Sequence, residues 1–321
     1  MIAFIFPGQG SQTVGMGKAL ADAFPEARQA FAEADAAFDA SADAARGRAL
    51  SDIVWNGPEE QLRLTEIQQP AILAVSVAAY RVLAAQGLLP SFVAGHSLGE
   101  YSANVAAGTF MFADAVRIVQ RRGRYMQEAV PVGAGAMAAI LGLDLETVRQ
   151  ACAEAAEGDV VSPANINCPG QIVIAGSASA VTRASVRAKA LGAKRALPLP
   201  VSAPFHSALM LPAEARLEPE LRDLDLQTPR VPNVANVDAG LKREAWSAID
   251  ALVRQVSAPV RWEDVIRRLA SEGVNTYVEV GPGTVLSGLL RKIHKDAHIV
   301  HFGSPGDLAA VVSACSISAE K

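Results

Sequence analysis

The sequence has few of the residues that bind metals or form disulfides. Its 321 residues include three cysteines and five histidines. The cysteines lie far apart without a Cys-x-x-Cys pair, and the histidines do not combine with them in a zinc-binding spacing. We therefore expect no metal site and a location in the reducing cytoplasm.

Long apolar runs and targeting segments are also missing. A membrane span needs about 20 predominantly apolar residues, but the longest apolar stretch, at residues 70–89, is interrupted by polar residues such as Arg81. This stretch is interpreted as a buried helix. Residues 1–8 lack the basic region and the long apolar core of a signal peptide, so we expect that the protein begins with its own fold and has no membrane partner.

An excess of positive charge is missing as well. The formal net charge is −4, which argues against a nucleic-acid partner, because nucleic-acid affinity comes largely from neutralised phosphates. Basic residues do cluster at Arg291, Lys292 and Lys295, and at Lys194 and Arg195. These clusters fit either an acidic protein partner or ordinary solvated charges.

What the sequence does have is a large apolar fraction and an alternating pattern of strands and helices. Hydrophobic residues make up 50% of the chain, which is enough for one large domain or a domain with an inserted lobe. Strand-like runs occur at residues 2–6, 92–94, 274–280 and 299–302, with helical patterns between them. Because parallel strands need crossover connections, this alternation predicts an α/β fold with a parallel sheet covered by helices.

One segment departs from this alternation and predicts an inserted lobe. Its pattern is strand, helix, strand, strand, helix, strand, at residues 135–142, 145–156, 160–166, 171–175, 178–191 and 195–199. This order matches a ferredoxin-like unit, with residues 167–170 as the hairpin turn between the middle strands. We therefore predict a catalytic core of residues 1–130 and 198–321, an inserted subdomain of residues 131–197, and a substrate cleft between them.

The sharpest local motif is the pentapeptide Gly-His-Ser-Leu-Gly at residues 95–99. It follows a strand-like segment and precedes a helix-like one, which is the setting of a nucleophile elbow. Such a turn exposes Ser97 at the positive end of a helix and predicts that it is the nucleophile. The alternative is a serine that only caps the helix. We interpret His96 as a packing residue, because neighbouring side chains diverge on a sharp elbow.

A serine nucleophile needs a general base, which is usually histidine. His206 lies in a proline-stiffened loop just after the predicted lobe, whereas the last three histidines lie near the C-terminus in or beside a basic stretch. Alone, His206 is equally well read as a helix N-terminal residue without chemistry, but with Ser97 upstream the catalytic interpretation is favoured. Because no acidic residue between them stands out as a triad acid, a Ser-His dyad is predicted.

Arg122 occupies an unexpected position in the helical stretch of residues 113–128. At about 100° per residue, it falls near the centre of the apolar face, among residues such as Val119. A buried guanidinium keeps its charge and needs an anionic partner, and its fork suits a carboxylate. That partner is either the substrate, since this helix follows the elbow helix directly, or a protein Asp or Glu in a structural ion pair. The third alternative is snorkelling, in which the guanidinium extends from the apolar face to water.

A glycine loop follows the first strand at residues 8–15. It does not match the dinucleotide-binding fingerprint, because Thr13 stands where the third glycine belongs. Such a loop can present backbone N–H groups and, together with the Leu98 N–H, form an oxyanion hole. A plain tight turn is the alternative.

Taken together, these motifs resemble the bacterial malonyl-CoA:acyl-carrier-protein transacylases of type II fatty acid synthesis, along nearly the whole chain. The resemblance is carried by segments at residues 6–12, 95–101, 122–127, 165–170, 204–207, 255–262 and 279–283. It implies an α/β-hydrolase-like core with a parallel sheet and an inserted ferredoxin-like small subdomain. Departures from the family pattern are Asn104 in the elbow helix and the C-terminal tail at residues 313–321.

The resemblance also implies roles for individual residues. Ser97 corresponds to the acylated nucleophile, His206 to its base and Arg122 to the clamp for the malonyl carboxylate. Gln255 corresponds to the residue whose backbone carbonyl orients the histidine, and Gln9 and Leu98 correspond to the oxyanion donors. Phe205, before the histidine, resembles the malonyl-selective form of that loop.

The expected activity is transfer of a malonyl group from malonyl-CoA to the phosphopantetheine thiol of an acyl carrier protein by a monomer. The coenzyme A thioester is a substrate, and no cofactor is expected. The alternatives are a serine thioesterase or esterase, a non-catalytic scaffold protein, and a malonyl transferase of a polyketide synthase or malonate decarboxylase system. The buried Arg122 and the missing triad acid argue against the esterase.

Overall fold

The structure is a computed structural model that describes residues 1–201 and 203–319. Ser202, four residues before His206, and the last two residues of the C-terminal tail lie outside the described residues. The described residues form ten strands: β1 Ile2–Phe6, β2 Phe92–Gly95, β3 Gly135–Leu141, β4 Val161–Cys168, β5 Gln171–Ser177, β6 Arg195–Pro198, β7 Asn233–Val234, β8 Leu241–Lys242, β9 Thr276–Val280 and β10 His298–Phe302.

The α-helices cover the sheets and connect the strands. They are α1 Lys18–Ala23, α2 Pro25–Ala37, α3 Leu50–Asn56, α4 Glu59–Leu62, α5 Thr65–Ala85, α6 Gly99–Ala107, α7 Phe112–Glu128, α8 Leu145–Ala155, α9 Ala178–Ala190, α10 Leu211–Arg222, α11 Ala245–Gln255, α12 Trp262–Ser271, α13 Val285–Ile293 and α14 Leu308–Ala319. Two short 3₁₀ turns, Ala208–Met210 and Pro305–Asp307, precede α10 and α14.

The larger sheet has the strand order β10-β9-β1-β2-β7-β8. Its strands pair in parallel from β10 to β7, and the short β8 pairs antiparallel with β7 at one edge. Both faces are covered by apolar side chains, so β1 and β2 are buried along nearly their whole length. The carboxyl ends of β1, β2 and β7 therefore meet at one edge, where ligand sites of such sheets lie.

The smaller sheet is antiparallel, with the strand order β4-β5-β3-β6. Helices α8 and α9 pack against it, which completes the predicted strand-helix-strand-strand-helix-strand unit. β4 extends to Cys168, so the hairpin turn contains only Pro169 and Gly170, two residues fewer than the predicted turn.

The predicted fold class, a parallel α/β core plus an inserted ferredoxin-like unit, is confirmed. The division into a core of residues 1–130 and 198–321 and a subdomain of residues 131–197 stays a prediction. A parallel bridge between Asn165 and Val260 connects the small sheet to the segment before α12.

Helix α5 is the buried helix that the sequence predicted around residues 70–89. It is the one described helix with the length and apolar composition to cross a membrane, and 83% of its most apolar window is buried inside the protein. It packs against α2, α6 and α7. Together these helices cover one face of the parallel sheet and hold α7, which carries Arg122, beside the elbow helix α6.

Candidate active site

Ser97 lies in a tight turn between β2 and α6, at the carboxyl edge of the parallel sheet. Its φ is +52°, a left-handed conformation that costs energy for a residue with a side chain. The flanking glycines make this turn possible, because a Cβ atom on Gly95 would lie 1.9 Å from the carbonyl carbon of Gly99. A Cβ atom on Gly99 would lie 2.0 Å from the Phe6 carbonyl oxygen. The close packing of β1, β2 and α6 therefore fixes the serine at the end of the sheet.

His206 lies within hydrogen-bond distance of the serine hydroxyl. The Ser97 Oγ atom is 2.7 Å from His206 Nε2, and His206 Nδ1 is 2.9 Å from the backbone carbonyl oxygen of Gln255. A carbonyl oxygen only accepts hydrogen bonds, so Nδ1 carries the proton and Nε2 is the free acceptor. The imidazole is thus oriented by a main-chain carbonyl at the position that a carboxylate occupies in a triad.

The environment of His206 keeps the imidazole neutral. Burial, and to a lesser extent the positive charge of Arg122, lowers the pKa of His206 to about 3. A neutral imidazole with a free Nε2 atom is the form that can accept a proton from the serine.

Arg122 is buried on α7, with 1% of its surface exposed. Its Nη1 donates to Gln69 Oε1 at 2.8 Å, and its Nη2 donates to Gln255 Oε1 at 3.0 Å and to Ser97 Oγ at 3.3 Å. The guanidinium also lies over the ring of Tyr101. Among the described residues no carboxylate forms an ion pair with it, so the structural ion pair that the sequence left open is not formed there.

The glycine loop after β1 packs directly against the elbow. A Cβ atom on Gly8 would lie 2.4 Å from the His96 carbonyl oxygen. The backbone N–H groups of Gln9 and Leu98 donate to no other residue in the described part of the chain. Two unused N–H groups beside the Ser97 hydroxyl have the chemistry of an oxyanion hole.

A cavity of about 220 Å³ opens in front of Ser97, between the parallel sheet, the small sheet and α13. This is the cleft that the sequence predicted between the two sheets. Its lining includes Gln9, Ser97, Asn167, Phe205, His206 and Leu286. Arg122 is not part of this lining; its buried guanidinium contacts the site through Ser97 Oγ at 3.3 Å.

Sequence reasoning missed the polar network beneath the elbow. Asn236, which follows β7, accepts from the Ser97 N–H at 2.7 Å and donates to the Gly95 carbonyl at 2.7 Å. The side-chain amide of Gln255 donates to the Ser97 carbonyl at 2.9 Å and to Glu100 at 2.7 Å. A buried asparagine at the carboxyl end of a parallel strand was the available signal, but β7 is only two residues long.

His96 and Asn104, two other residues singled out in the sequence, take part in packing and local hydrogen bonds. The His96 ring contacts Trp262, and its Nε2 is 2.9 Å from Asn167 Oδ1. Burial lowers the pKa of His96. Asn104, buried in α6, donates to the Glu100 carbonyl and accepts from the Thr109 hydroxyl at the end of the helix.

Comparison with known proteins places the chain in a family. Residues 3–317 match the family model described as the acyl transferase domain. The chain is 51% identical to the malonyl CoA-acyl carrier protein transacylase of Escherichia coli K12 over 311 residues, which are 97% of this chain and 98% of that protein.

Solved structures agree with this assignment. An acyl carrier protein S-malonyltransferase from Vibrio cholerae superimposes with a TM-score of 0.92 at 47% identity, covering 97% of this chain and 99% of that one. A malonyl-transacylase in complex with a type II PKS acyl-carrier protein superimposes with a TM-score of 0.92 at 46% identity, covering 98% and 99%. The family resemblance of the sequence motifs is thus confirmed: the chain belongs to the malonyl CoA-acyl carrier protein transacylase family and is an acyltransferase.

Proposed function

We propose that this protein transfers a malonyl group from malonyl-CoA to the phosphopantetheine thiol of an acyl carrier protein and so supplies fatty acid biosynthesis. The group is carried as an ester of Ser97. The observation that carries the proposal is the convergence at one atom, because Ser97 Oγ lies 2.7 Å from His206 Nε2 and 3.3 Å from Arg122 Nη2. Nucleophile, base and cation come from three distant stretches of the chain.

The first half-reaction loads the serine. His206 Nε2 takes the hydroxyl proton while Ser97 Oγ attacks the thioester carbonyl carbon. The backbone N–H groups of Gln9 and Leu98 hold the oxyanion of the tetrahedral intermediate. The carbon–sulfur bond then breaks, His206 gives its proton to the departing coenzyme A thiolate, and malonyl-Ser97 remains. The Gln255 carbonyl stabilises the transient imidazolium through Nδ1.

The second half-reaction runs the same steps in reverse order. His206 takes the proton of the carrier's thiol, and the sulfur attacks the ester carbonyl in the same oxyanion site. The bond from the carbonyl carbon to Ser97 Oγ breaks, and His206 returns the proton to that oxygen. The reaction is therefore ping-pong. It uses the coenzyme A thioester as a substrate and needs no resident cofactor.

Arg122 selects acyl groups that carry a carboxylate. Its partners, Gln69, Gln255 and Ser97, are all neutral, so the cation remains available for a carboxylate that enters past the serine. Exchange of the Ser97 contact for a carboxylate contact frees the serine hydroxyl for attack. An acyl group without a carboxylate leaves the buried cation unpaired, at a cost of about 2–5 kcal/mol if interfacial charge pairs are a guide.

The cytoplasmic location, the monomeric state and the absence of nucleic-acid and membrane partners stay predictions, as do the roles of the six site residues. One similar protein forms a complex with a type II PKS acyl-carrier protein. A polyketide-specific transferase would therefore differ from the proposed function in the carrier protein that it uses.

Intact-protein mass spectrometry after brief exposure to malonyl-CoA tests the proposal. We expect one malonyl adduct on the wild-type protein, none on Ser97→Ala and little on Arg122→Ala. Addition of holo acyl carrier protein should discharge the adduct to the carrier, with separate fatty-acid and polyketide carriers as matched arms. Discharge to water alone would identify a thioesterase, and the absence of any adduct would contradict the proposed function.

A further inference from the structure

Glu100 is a buried carboxyl group directly beneath the elbow, and the chemistry described above does not use it. It lies on α6, and its residue surface is 0% exposed. Its Oε2 atom accepts from Gln255 Nε2 at 2.7 Å and from the backbone N–H of Asn236 at 3.0 Å. Its Oε1 atom has no hydrogen-bond partner among the described residues. A fully buried acid needs a reason for its position, because burial of a carboxyl group is costly.

The contacts of Gln255 connect this acid to the reaction. Its side-chain Nε2 donates to Glu100, while its Oε1 accepts from Arg122 Nη2 at 3.0 Å. Its main-chain carbonyl accepts from His206 Nδ1 at 2.9 Å. Gln255 thus contacts the Arg122 guanidinium with its side chain and the His206 imidazole with its main-chain carbonyl.

Three groups fix the orientation of the Gln255 side-chain amide: Arg122 at its oxygen, and Glu100 and the Ser97 carbonyl, the latter at 2.9 Å, at its nitrogen. Arg122 has donors alone, so it requires the amide oxygen. The Glu100 Oε2 atom acts as an acceptor, so it requires the amide nitrogen. Burial raises the pKa of Glu100 to about 7, and a proton on the unpartnered Oε1 leaves Oε2 free to accept. The contact with Gln255 therefore persists in both ionisation states.

We propose that Glu100 is a positioning residue that sets the preference for a carboxylate-bearing acyl group, by fixing Gln255 between Arg122 and His206. The proposal rests on the proposed malonyl transfer. Without the acceptor at Glu100, the Gln255 amide nitrogen keeps only the Ser97 carbonyl at 2.9 Å and a longer contact with Asn236 Oδ1 at 3.4 Å. The amide is then held less firmly, and the Arg122 guanidinium is aimed less accurately at the serine. A misplaced cation lowers transfer of malonyl more than transfer of acetyl, which has no carboxylate for the clamp.

The test compares two substitutions at this position. Glu100→Met has a similar length but no acceptor, whereas Glu100→Gln keeps an acceptor oxygen and is the matched control. For each folded variant, kcat/KM is measured with malonyl-CoA and with acetyl-CoA. We expect the malonyl-to-acetyl ratio to fall about tenfold in Glu100→Met, the effect of roughly one charge-assisted hydrogen bond. Glu100→Gln should restore most of the ratio.

A merely structural role of Glu100 would lower both activities by the same factor. An unchanged ratio in Glu100→Met, or an equal ratio in both variants, would therefore overturn the proposal. If Glu100→Met does not fold, Gln255→Met removes the side-chain contacts with both Glu100 and Arg122 and keeps the main-chain carbonyl. An unchanged ratio in that variant would equally overturn the proposal. Malonyl transfer by the wild-type protein, measured alongside, separates a failure of this inference from a failure of the proposed function.

Discussion

Replacement of Glu100 by glutamine is expected to change how the stability of the protein depends on pH. The carboxyl group is fully buried on α6, and burial raises its pKa from 4.5 to about 7. The folded protein therefore holds a proton that the unfolded chain has released at the same pH. By linkage, the wild-type protein loses stability as the pH rises from 4.5 through 7. Glutamine does not ionise, so the variant does not have this loss.

The magnitude follows from the size of the pKa shift. The difference between the ordinary pKa of 4.5 and the pKa of about 7 in the folded protein, at about 1.4 kcal/mol per pH unit, gives about 3 kcal/mol of lost wild-type stability above pH 7. At pH below 4.5 the carboxyl group is protonated in both states and contributes no such difference. The variant should therefore gain roughly 2–3 kcal/mol relative to the wild type between pH 5 and pH 8.

Urea unfolding of both proteins at about pH 5 and pH 8 measures this difference. The comparison between variant and wild type is necessary because His206 gives a slope of the opposite sign. Its pKa is lowered from 6.5 to about 3, so stability is lost as the pH falls below 6.5, equally in both proteins. If the stability difference between the two proteins is the same at both pH values, the carboxyl group does not titrate as the structure indicates.

Three further outcomes are expected. Gly99→Ala should fail to fold, because the added Cβ would lie 2.0 Å from the Phe6 carbonyl oxygen. The control, Gly288→Ala on α13, adds a Cβ with no atom within 4 Å, so it should change the melting temperature little or raise it slightly. The kcat/KM for malonyl loading should show no acid limb between about pH 8 and pH 5, since the pKa of His206 is lowered to about 3; a limb near its ordinary pKa would contradict this. Arg122→Lys should load malonyl at least about tenfold more slowly in the mass-spectrometric assay, because an ammonium cannot keep the two-armed contact with its glutamine partners.

The parts of the site that were predictable are those encoded locally. The elbow needs glycine, serine and glycine at fixed spacing next to a strand and a helix, so residues 95–99 predict it without knowledge of the rest. Arg122 was equally accessible, because helical periodicity alone puts it on the apolar face of α7. The strand-helix pattern of residues 135–199 predicted the ferredoxin-like unit for the same reason: each element carries its own periodicity.

The parts that were not predictable depend on contacts between distant segments. His206 and the Gln255 carbonyl are separated by 49 residues, and a backbone carbonyl has no side-chain signal, so only the family resemblance suggested that contact. Strands β7 and β8 contain two residues each, too few for a periodic pattern. Asn236 follows β7, and without that strand nothing in the sequence placed it beneath Ser97.

The arrangement of charge around Arg122 has a physical logic of its own. A carboxylate in direct contact would satisfy the buried guanidinium, but it would also compete with the carboxylate of the substrate for the same donors. Here the nearest link to an acid passes through the amide of Gln255 to Glu100. The Gln255 amide, held by Glu100, orients the Arg122 guanidinium. Among the described residues no carboxylate forms an ion pair with this guanidinium. Under the proposed function, a substrate carboxylate is the group that pairs with this cation, and the unpaired charge of the free enzyme accounts for the expected selectivity.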